Sequence, residues 1–354
     1  MPVFITKEKT SWEKIKSSQK PVVIYGMGDG ADKVLAEFEK LGIKISSVIA
    51  SDDFVRGQSF HDFTVETLAQ AHSRLGDILI VVCFASQLSD VMSHIKKVAQ
   101  DFEVVVPSVP VFGKSIFNRE FVNANIENIE KTYHLLADDR SRLVFENTIS
   151  FQLTGNLSYL FEMESDKSEV FENIIKLGSD EDFVDLGAYR GDTIEEFLQY
   201  CGGKYSSITA LEPDKRTFKK LQKFTENMKN TSIFNKGAYS CEKTLMFSDK
   251  SGRASSISGT GKCVPVEVTS VDSLLDGKRA SYIKMDIEGA EAEAIKGAEN
   301  TIRKYKPKLN IAIYHRSEDI FALPKLIHRI NPDYKFYMRH HPYIPCWDSN
   351  LYCV

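Results

Sequence analysis

Phe183-Val-Asp-Leu-Gly-Ala-Tyr-Arg-Gly-Asp-Thr193 is the stretch whose reading decides the fold. A short apolar run ends in Asp185, glycines follow at Gly187 and Gly191, and helical spacing follows them. Ile208-Thr-Ala-Leu-Glu-Pro213 then repeats the form, an apolar run ending in the acid Glu212. Strand, glycine turn, helix, strand and acid form the unit by which a doubly wound sheet holds an adenosine-type ligand. Glycines let backbone N–H groups approach the ligand, and the acid accepts hydrogen bonds from ribose hydroxyls.

Further along, Tyr282-Ile-Lys-Met-Asp-Ile-Glu-Gly-Ala-Glu291 carries an apolar strand into Asp286 and Glu288, with a helix expected after Gly289. Ligands of open α/β sheets bind outside the C-terminal strand ends, so Asp286 and Glu288 are expected to face the crevice of Asp185. Glu288 and Glu291 also suit a helix's first turn, where acids complement the dipole. His315 ends the next apolar run, Ile311-Ala-Ile-Tyr, where a histidine can act as a general base on a hydroxyl or serve structure alone. Asn235 ends the third expected strand, where a polar side chain would meet adenine or serve the turn before Gly237. Arg339-His-His341 reads as a polar turn in preference to a substrate wall. Asp286 and Glu288 have no third ligand at a metal-binding spacing, so no metal site is expected.

At 354 residues the chain suits two domains. The apolar strands and glycine turn of Pro21–Gly30, the helical spacing of Val34, Leu35, Phe38 and Leu41, and strands near residues 45–50, 78–83 and 104–106 predict a small Rossmann-like domain over residues 1–115. A helical connector over 116–165 follows, then a domain over 166–354 closed by an antiparallel hairpin. The Gly26-Met-Gly-Asp-Gly30 turn is followed by Ala50-Ser51 where a nicotinamide dinucleotide site needs an acid. An oxidoreductase using that turn stands as the alternative function, and a non-catalytic nucleotide-binding scaffold as another. The serine- and glycine-rich Ser248–Cys263 segment is read as a lid.

A formal net charge of −4, from 45 basic and 49 acidic side chains, gives no bulk attraction to nucleic acid. No apolar run approaches the ~18 residues of a membrane span. The six scattered cysteines read as reduced thiols of a cytoplasmic protein. Dimerisation is one use open to the N-terminal domain.

Together these residues resemble the FkbM family of S-adenosylmethionine-dependent methyltransferases. The resemblance rests on Phe183–Thr193, Leu211-Glu-Pro-Asp214, Lys284-Met-Asp-Ile-Glu-Gly-Ala-Glu291, Ile313-Tyr-His315, Tyr337-Met-Arg-His340 and Leu351-Tyr-Cys353. It implies a seven-stranded class I methyltransferase sheet and O-methylation of a small-molecule or sugar acceptor. On this reading Asp185, Gly187, Ala188, Gly191, Thr193, Glu212, Asn235 and Asp286 would bind S-adenosylmethionine. Asp286, His315 and Glu288 would form the catalytic set.

Overall fold

The computed structural model describes residues 5–248 and 263–354. The chain divides into two units. One comprises Met1–Glu130, Arg142–Ser165 and His340–Asp348; the other comprises Lys131–Ser141, Asp166–Arg339 and Ser349–Val354. The helices Arg119–Ala124 and Leu157–Glu162 fall in the first unit, and Ile126–Leu135 and Asp139–Thr154 each run from one unit's residues into the other's.

The first unit is built on a four-stranded sheet in the order Ser47–Ile49, Val22–Tyr25, Leu79–Val82, Glu103–Val105. Every pairing in it is parallel. Strands buried on both faces read as unbroken apolar runs, as Val22-Val-Ile-Tyr25 and Leu79-Ile-Val-Val82 do. The Asp29–Leu41 helix buries Ala31, Val34 and Phe38 in this core and ends at Gly42 in the left-handed conformation. Two later segments join the unit by main-chain bonds: Val106 N donates to Gly155 O, and Ser86 and Ile344 exchange a pair of bonds at 2.8 and 2.9 Å.

The second unit carries a seven-stranded sheet in the order Phe336–His340, Ser349–Cys353, Lys308–Ala312, Tyr282–Met285, Asp182–Leu186, Ser207–Leu211, Thr231–Phe234. The run from Lys308–Ala312 to Thr231–Phe234 is parallel, and Ser349–Cys353 is antiparallel to Lys308–Ala312. Strand order reverses at Asp182–Leu186, the place where such sheets open a crevice. Phe183 stacks on Phe197 at 4.5 Å and on Tyr282 at 5.0 Å, so the helix after the glycine turn is fixed onto the sheet. Burying each ring contributes about 1.5–3 kcal/mol.

Two features depart from the sequence reading. The single helix expected after Ala290 is two, Glu291–Lys296 and Glu299–Tyr305, broken at Gly297. There, a side-chain Cβ would stand 2.1 Å from the carbonyl oxygen of Tyr239, so the chain packs too closely for any other residue. A three-stranded sheet in the order Gly237–Ala238, Cys263–Thr269, Lys243–Ser248 was not anticipated, although Val264, Val266 and Val268 alternate as a strand should. The lid expected over Ser248–Cys263 falls on residues 249–262, outside the described residues. Among the described residues, no helix is long and apolar enough to cross a membrane.

Candidate active site

The site is assembled by the C-terminal ends of four adjacent strands, Lys308–Ala312, Tyr282–Met285, Asp182–Leu186 and Ser207–Leu211. The N–H groups of Gly187 and Ala188 both donate to Leu211 O at 3.0 Å, hooking the turn onto the next strand. On the other side Asp286 N donates to Leu186 O at 3.1 Å. Gly187 has φ +86°, and a Cβ there would lie 2.1 Å from Asp286 O. No L side chain satisfies both demands, and the turn therefore depends on glycine. Gly191 is the N-cap of the Asp192–Tyr200 helix.

Asp185 is fully buried beside Lys284 in the parallel register. Its Oδ2 accepts a hydrogen bond from Thr193 Oγ1, while its Oδ1 has no hydrogen-bond partner and lies 4.0 Å from Lys284 Nζ. Burial raises its pKa to about 6, with the Lys284 charge and Thr193 holding it from rising further. Lys284 Nζ also lies 3.9 Å from Asp286 Oδ2. Burial pushes the lysine pKa down, but Asp286 and Asp185 outweigh it, so the ammonium stays charged between two acids. Lys284 was missed as a site residue; its signal was a cation inside an otherwise apolar strand.

Glu212 accepts from Tyr189 N at 3.0 Å and from Asp214 N at 2.8 Å. Burial raises its pKa to about 7, against those two backbone donors. Asn235 spends its amide hydrogens on Glu212 O and Pro213 O, at 2.9 and 3.0 Å. It braces the loop that presents Glu212, and only its carbonyl oxygen is left for a ligand. Tyr189 and Glu288 hold φ values of +47° and +57°. Non-glycine residues there cost about 1–3 kcal/mol each and cluster at functional sites.

Where the Tyr282–Met285 and Lys308–Ala312 strands end, Tyr314 OH donates to Asp286 Oδ1 at 3.2 Å, and His315 Nε2 lies 3.4 Å from the same oxygen and 3.5 Å from Glu288 Oε2. His315 is 1% exposed, and its Nδ1 stands 3.0 Å from Glu291 Oε1. That Glu291 oxygen also accepts from Ile287 N at 2.9 Å, so the residue ties the helix start to the histidine. Burial pushes the imidazole pKa down; Glu291, then Asp286 and Glu288, outweigh it and raise it to about 10. A protonated imidazole takes no proton at neutral pH, so in this state His315 is a donor and a charge. Asp319 lies close by, its pKa raised by burial and by the Glu291 charge.

The structure thus brings Asp185, Gly187, Ala188, Gly191, Thr193, Glu212 and Asp286 to one end of the sheet, with Glu288 and His315 beside Asp286. Arg339 is not there. It is 2% exposed and bonds Asp138 at 2.8 Å, Ser141 at 2.9 Å and Glu169 at 3.1 Å, a buried structural network. His340 is fully buried, and burial lowers its pKa to about 4, so it is neutral.

Residues 185–340 match the family described as the Methyltransferase FkbM domain. Among solved structures, the chain is similar to a methyltransferase FkbM from Methylobacillus flagellatus KT, at 20% identity and TM-score 0.72, over 95% of this chain and 90% of that one. That likeness concerns the fold of both units. A fibrillarin from Aeropyrum pernix with bound S-adenosyl-L-methionine aligns at 14% identity and TM-score 0.34, over 53% of this chain and 73% of that one. A precorrin-6y C5,15-methyltransferase from Geobacter metallireducens GS-15 aligns at 12% identity and TM-score 0.33, over 51% and 82%. No curated protein matches the sequence. The donor set suits the cofactor that such a domain uses: a buried carboxylate oxygen of Asp185 without a hydrogen-bond partner, suited to an ammonium, and the Glu212 carboxylate, suited to ribose hydroxyls. The C-terminal unit therefore carries an S-adenosylmethionine-dependent methyltransferase domain of the FkbM family.

Proposed function

We propose that this domain is an O-methyltransferase acting on a hydroxyl of a sugar or glycan precursor. The observation that supports it most is the placing of Asp286. It ends the strand next to the Asp185 turn, with one oxygen toward Tyr314 and His315 and the other toward Lys284. When bound, the cofactor supplies a methyl group already activated on a sulfonium. Asp185 and the turn through Gly187, Ala188, Gly191 and Thr193 would hold its amino-acid end, Glu212 its ribose, and the Asn235 carbonyl its adenine edge.

A sugar hydroxyl is a poor nucleophile until its proton leaves. Asp286 would take that proton as the oxygen–carbon bond forms, and position matters more here than resting basicity. His315, held as a cation, would fix the orientations of Asp286 and Glu288. The acids at this strand end suit a polyol acceptor, whose hydroxyls can donate several hydrogen bonds. The remaining task is alignment of acceptor oxygen, methyl and sulfur in one line.

The test is incubation with S-adenosylmethionine and a panel of nucleotide sugars, read by mass spectrometry as the gain of one methyl. Asp286→Asn is expected to lower turnover by about 10²–10⁴-fold, while calorimetry shows S-adenosylhomocysteine affinity changed only a few-fold. Undiminished turnover in that variant removes Asp286 from the chemistry.

A further inference from the structure

Asp286 and Glu288 lack a third ligand in the sequence, but the fold supplies one from the next strand. His315 Nε2 stands 3.4 Å from Asp286 Oδ1 and 3.5 Å from Glu288 Oε2. Two donors each ~2.1 Å from one cation, at a tetrahedral angle, stand about 3.4 Å apart. Each carboxylate therefore stands from the histidine at the separation that a shared ion would set. One donor atom each from Asp286, Glu291 and His315 also lies within 4.8 Å of the others.

The far side of the imidazole is built as a metal-binding histidine requires. Glu291 Oε1 faces Nδ1 at 3.0 Å and is itself held by Ile287 N at 2.9 Å. A carboxylate on Nδ1–H fixes the tautomer that leaves the Nε2 lone pair for an ion. Glu291 is 1% exposed, and its Oε2 has no hydrogen-bond partner. Its charge is thus held beside the histidine with one oxygen uncompensated by any donor. The Arg316 guanidinium donates to Gly289 O at 2.9 Å. Asp286 and Glu288 are partly exposed, at 38% and 32% of their side chains, which gives an ion a way in.

We infer that Asp286, Glu288 and His315 bind one divalent transition-metal cation, with Glu291 positioning the histidine from behind. Mixed carboxylate and imidazole donors suit Mn²⁺ or Zn²⁺ better than Ca²⁺. The ion takes the place of the proton on Nε2. Its open positions accept oxygen donors, and so it would hold a hydroxylated acceptor beside Asp286. That use, though not the binding itself, rests on reading this crevice as the site of O-methyl transfer.

The full chain, stripped with chelator, is titrated with Mn²⁺ and followed by loss of the free-ion electron paramagnetic resonance signal. About one ion per chain is expected. Glu291→Gln, which disturbs the tautomer and keeps all three ligands, is expected to weaken binding by about 10–100-fold. Glu288→Gln and His315→Ala are expected to weaken it at least as much. Glu288→Gln alters a partly exposed side chain and keeps the test open if the histidine variant does not fold. No saturable Mn²⁺ binding, or binding unchanged in Glu288→Gln and Glu291→Gln, overturns the site and leaves His315 as a buried imidazolium. S-adenosylhomocysteine calorimetry on the same samples separates the outcomes. Cofactor binding without Mn²⁺ binding defeats the cation site alone, and Mn²⁺ binding without methyl transfer to any hydroxyl defeats the O-methyltransferase reading alone.

Discussion

The two units solve the same main-chain problem with different side chains. In the first, Gly26 N donates to Ile49 O at 3.0 Å and Cys83 N to Tyr25 O at 2.9 Å. In the second, Gly187 N donates to Leu211 O at 3.0 Å and Asp286 N to Leu186 O at 3.1 Å. The correspondence sets Ile24 against Asp185, Ala50 against Glu212 and Cys83 against Asp286. Each acid of the C-terminal crevice is thus an apolar or weakly polar residue in the N-terminal one. Tyr25 closes that unit's own polar pairing by a 2.8 Å hydrogen bond to Ser51, and Phe84 meets its ring edge-on at 5.1 Å. A glycine turn on a parallel sheet thus fixes backbone geometry only. Charge at the neighbouring strand ends makes it a binding site for a cationic, ribose-bearing ligand, and that separates the methyltransferase reading from the nicotinamide one.

The two turns are expected to differ most in their tolerance at Gly187. Gly187→Ala forces both a left-handed φ and an impossible approach to Asp286 O. It is expected to lower stability by about 2–4 kcal/mol, read as a fall in the denaturation midpoint, and to weaken cofactor binding with it. An alanine variant as stable as the parent would mean that the turn does not need its close contact with Asp286.

Much of this contrast was legible in the sequence, because strands are apolar runs and the acids sit where those runs stop. Asp185, Glu212 and Asp286 could each be placed by that rule alone. The partners could not. Lys284 meets Asp185 only through strand register, and Glu291 reads as an ordinary first-turn acid until the fold sets His315 against it. Arg339 looked like part of a polar turn because Asp138 and Glu169, which neutralise it, are far away in sequence. The N-terminal unit draws in 340–348, a segment no local pattern assigns to it. The two-strand ribbon around the serine- and glycine-rich stretch was hidden because composition drew the reading to a loop.

Glu212 offers the next test. A charged hydrogen bond contributes about 1.5–3 kcal/mol, so Glu212→Gln is expected to weaken S-adenosylhomocysteine binding by roughly 10–100-fold. Asp52→Asn and Asp53→Asn, the acids nearest the N-terminal turn, are expected to leave it unchanged. Calorimetry against NAD should show no binding to the parent chain. Saturable NAD binding lost on altering Gly26–Gly30 would restore the rival function.

The sign of the pH effect follows from the same carboxyl. Its pKa of about 7 lies above the ordinary glutamate value because burial disfavours the charge. Ribose hydroxyls donate to the ionised form, so affinity should rise with pH through this range and fall as acid protonates the group. From pH 6 to pH 8 the gain is about tenfold for a single group of this kind. Glu212→Gln should flatten that profile near neutrality and leave a smaller dependence near pH 6, where Asp185 titrates. A parent profile flat from pH 6 to 8 would mean that Glu212 does not meet the ribose.

The smallest effect is expected at Gly28. It precedes the Asp29–Leu41 helix with φ −112°, an ordinary extended conformation, and a Cβ there would meet nothing within 4 Å. Alanine fits without strain, so Gly28→Ala should shift stability by no more than about 0.5 kcal/mol, the loss of a better N-cap residue offset by reduced chain entropy. The N-terminal turn would then tolerate the kind of change that disrupts its C-terminal counterpart. A large loss of stability, or of turnover with the cofactor still bound, would mean that backbone at Gly28 is closely approached by something in the working protein. The N-terminal turn would then be a ligand site that uses main chain in place of charge.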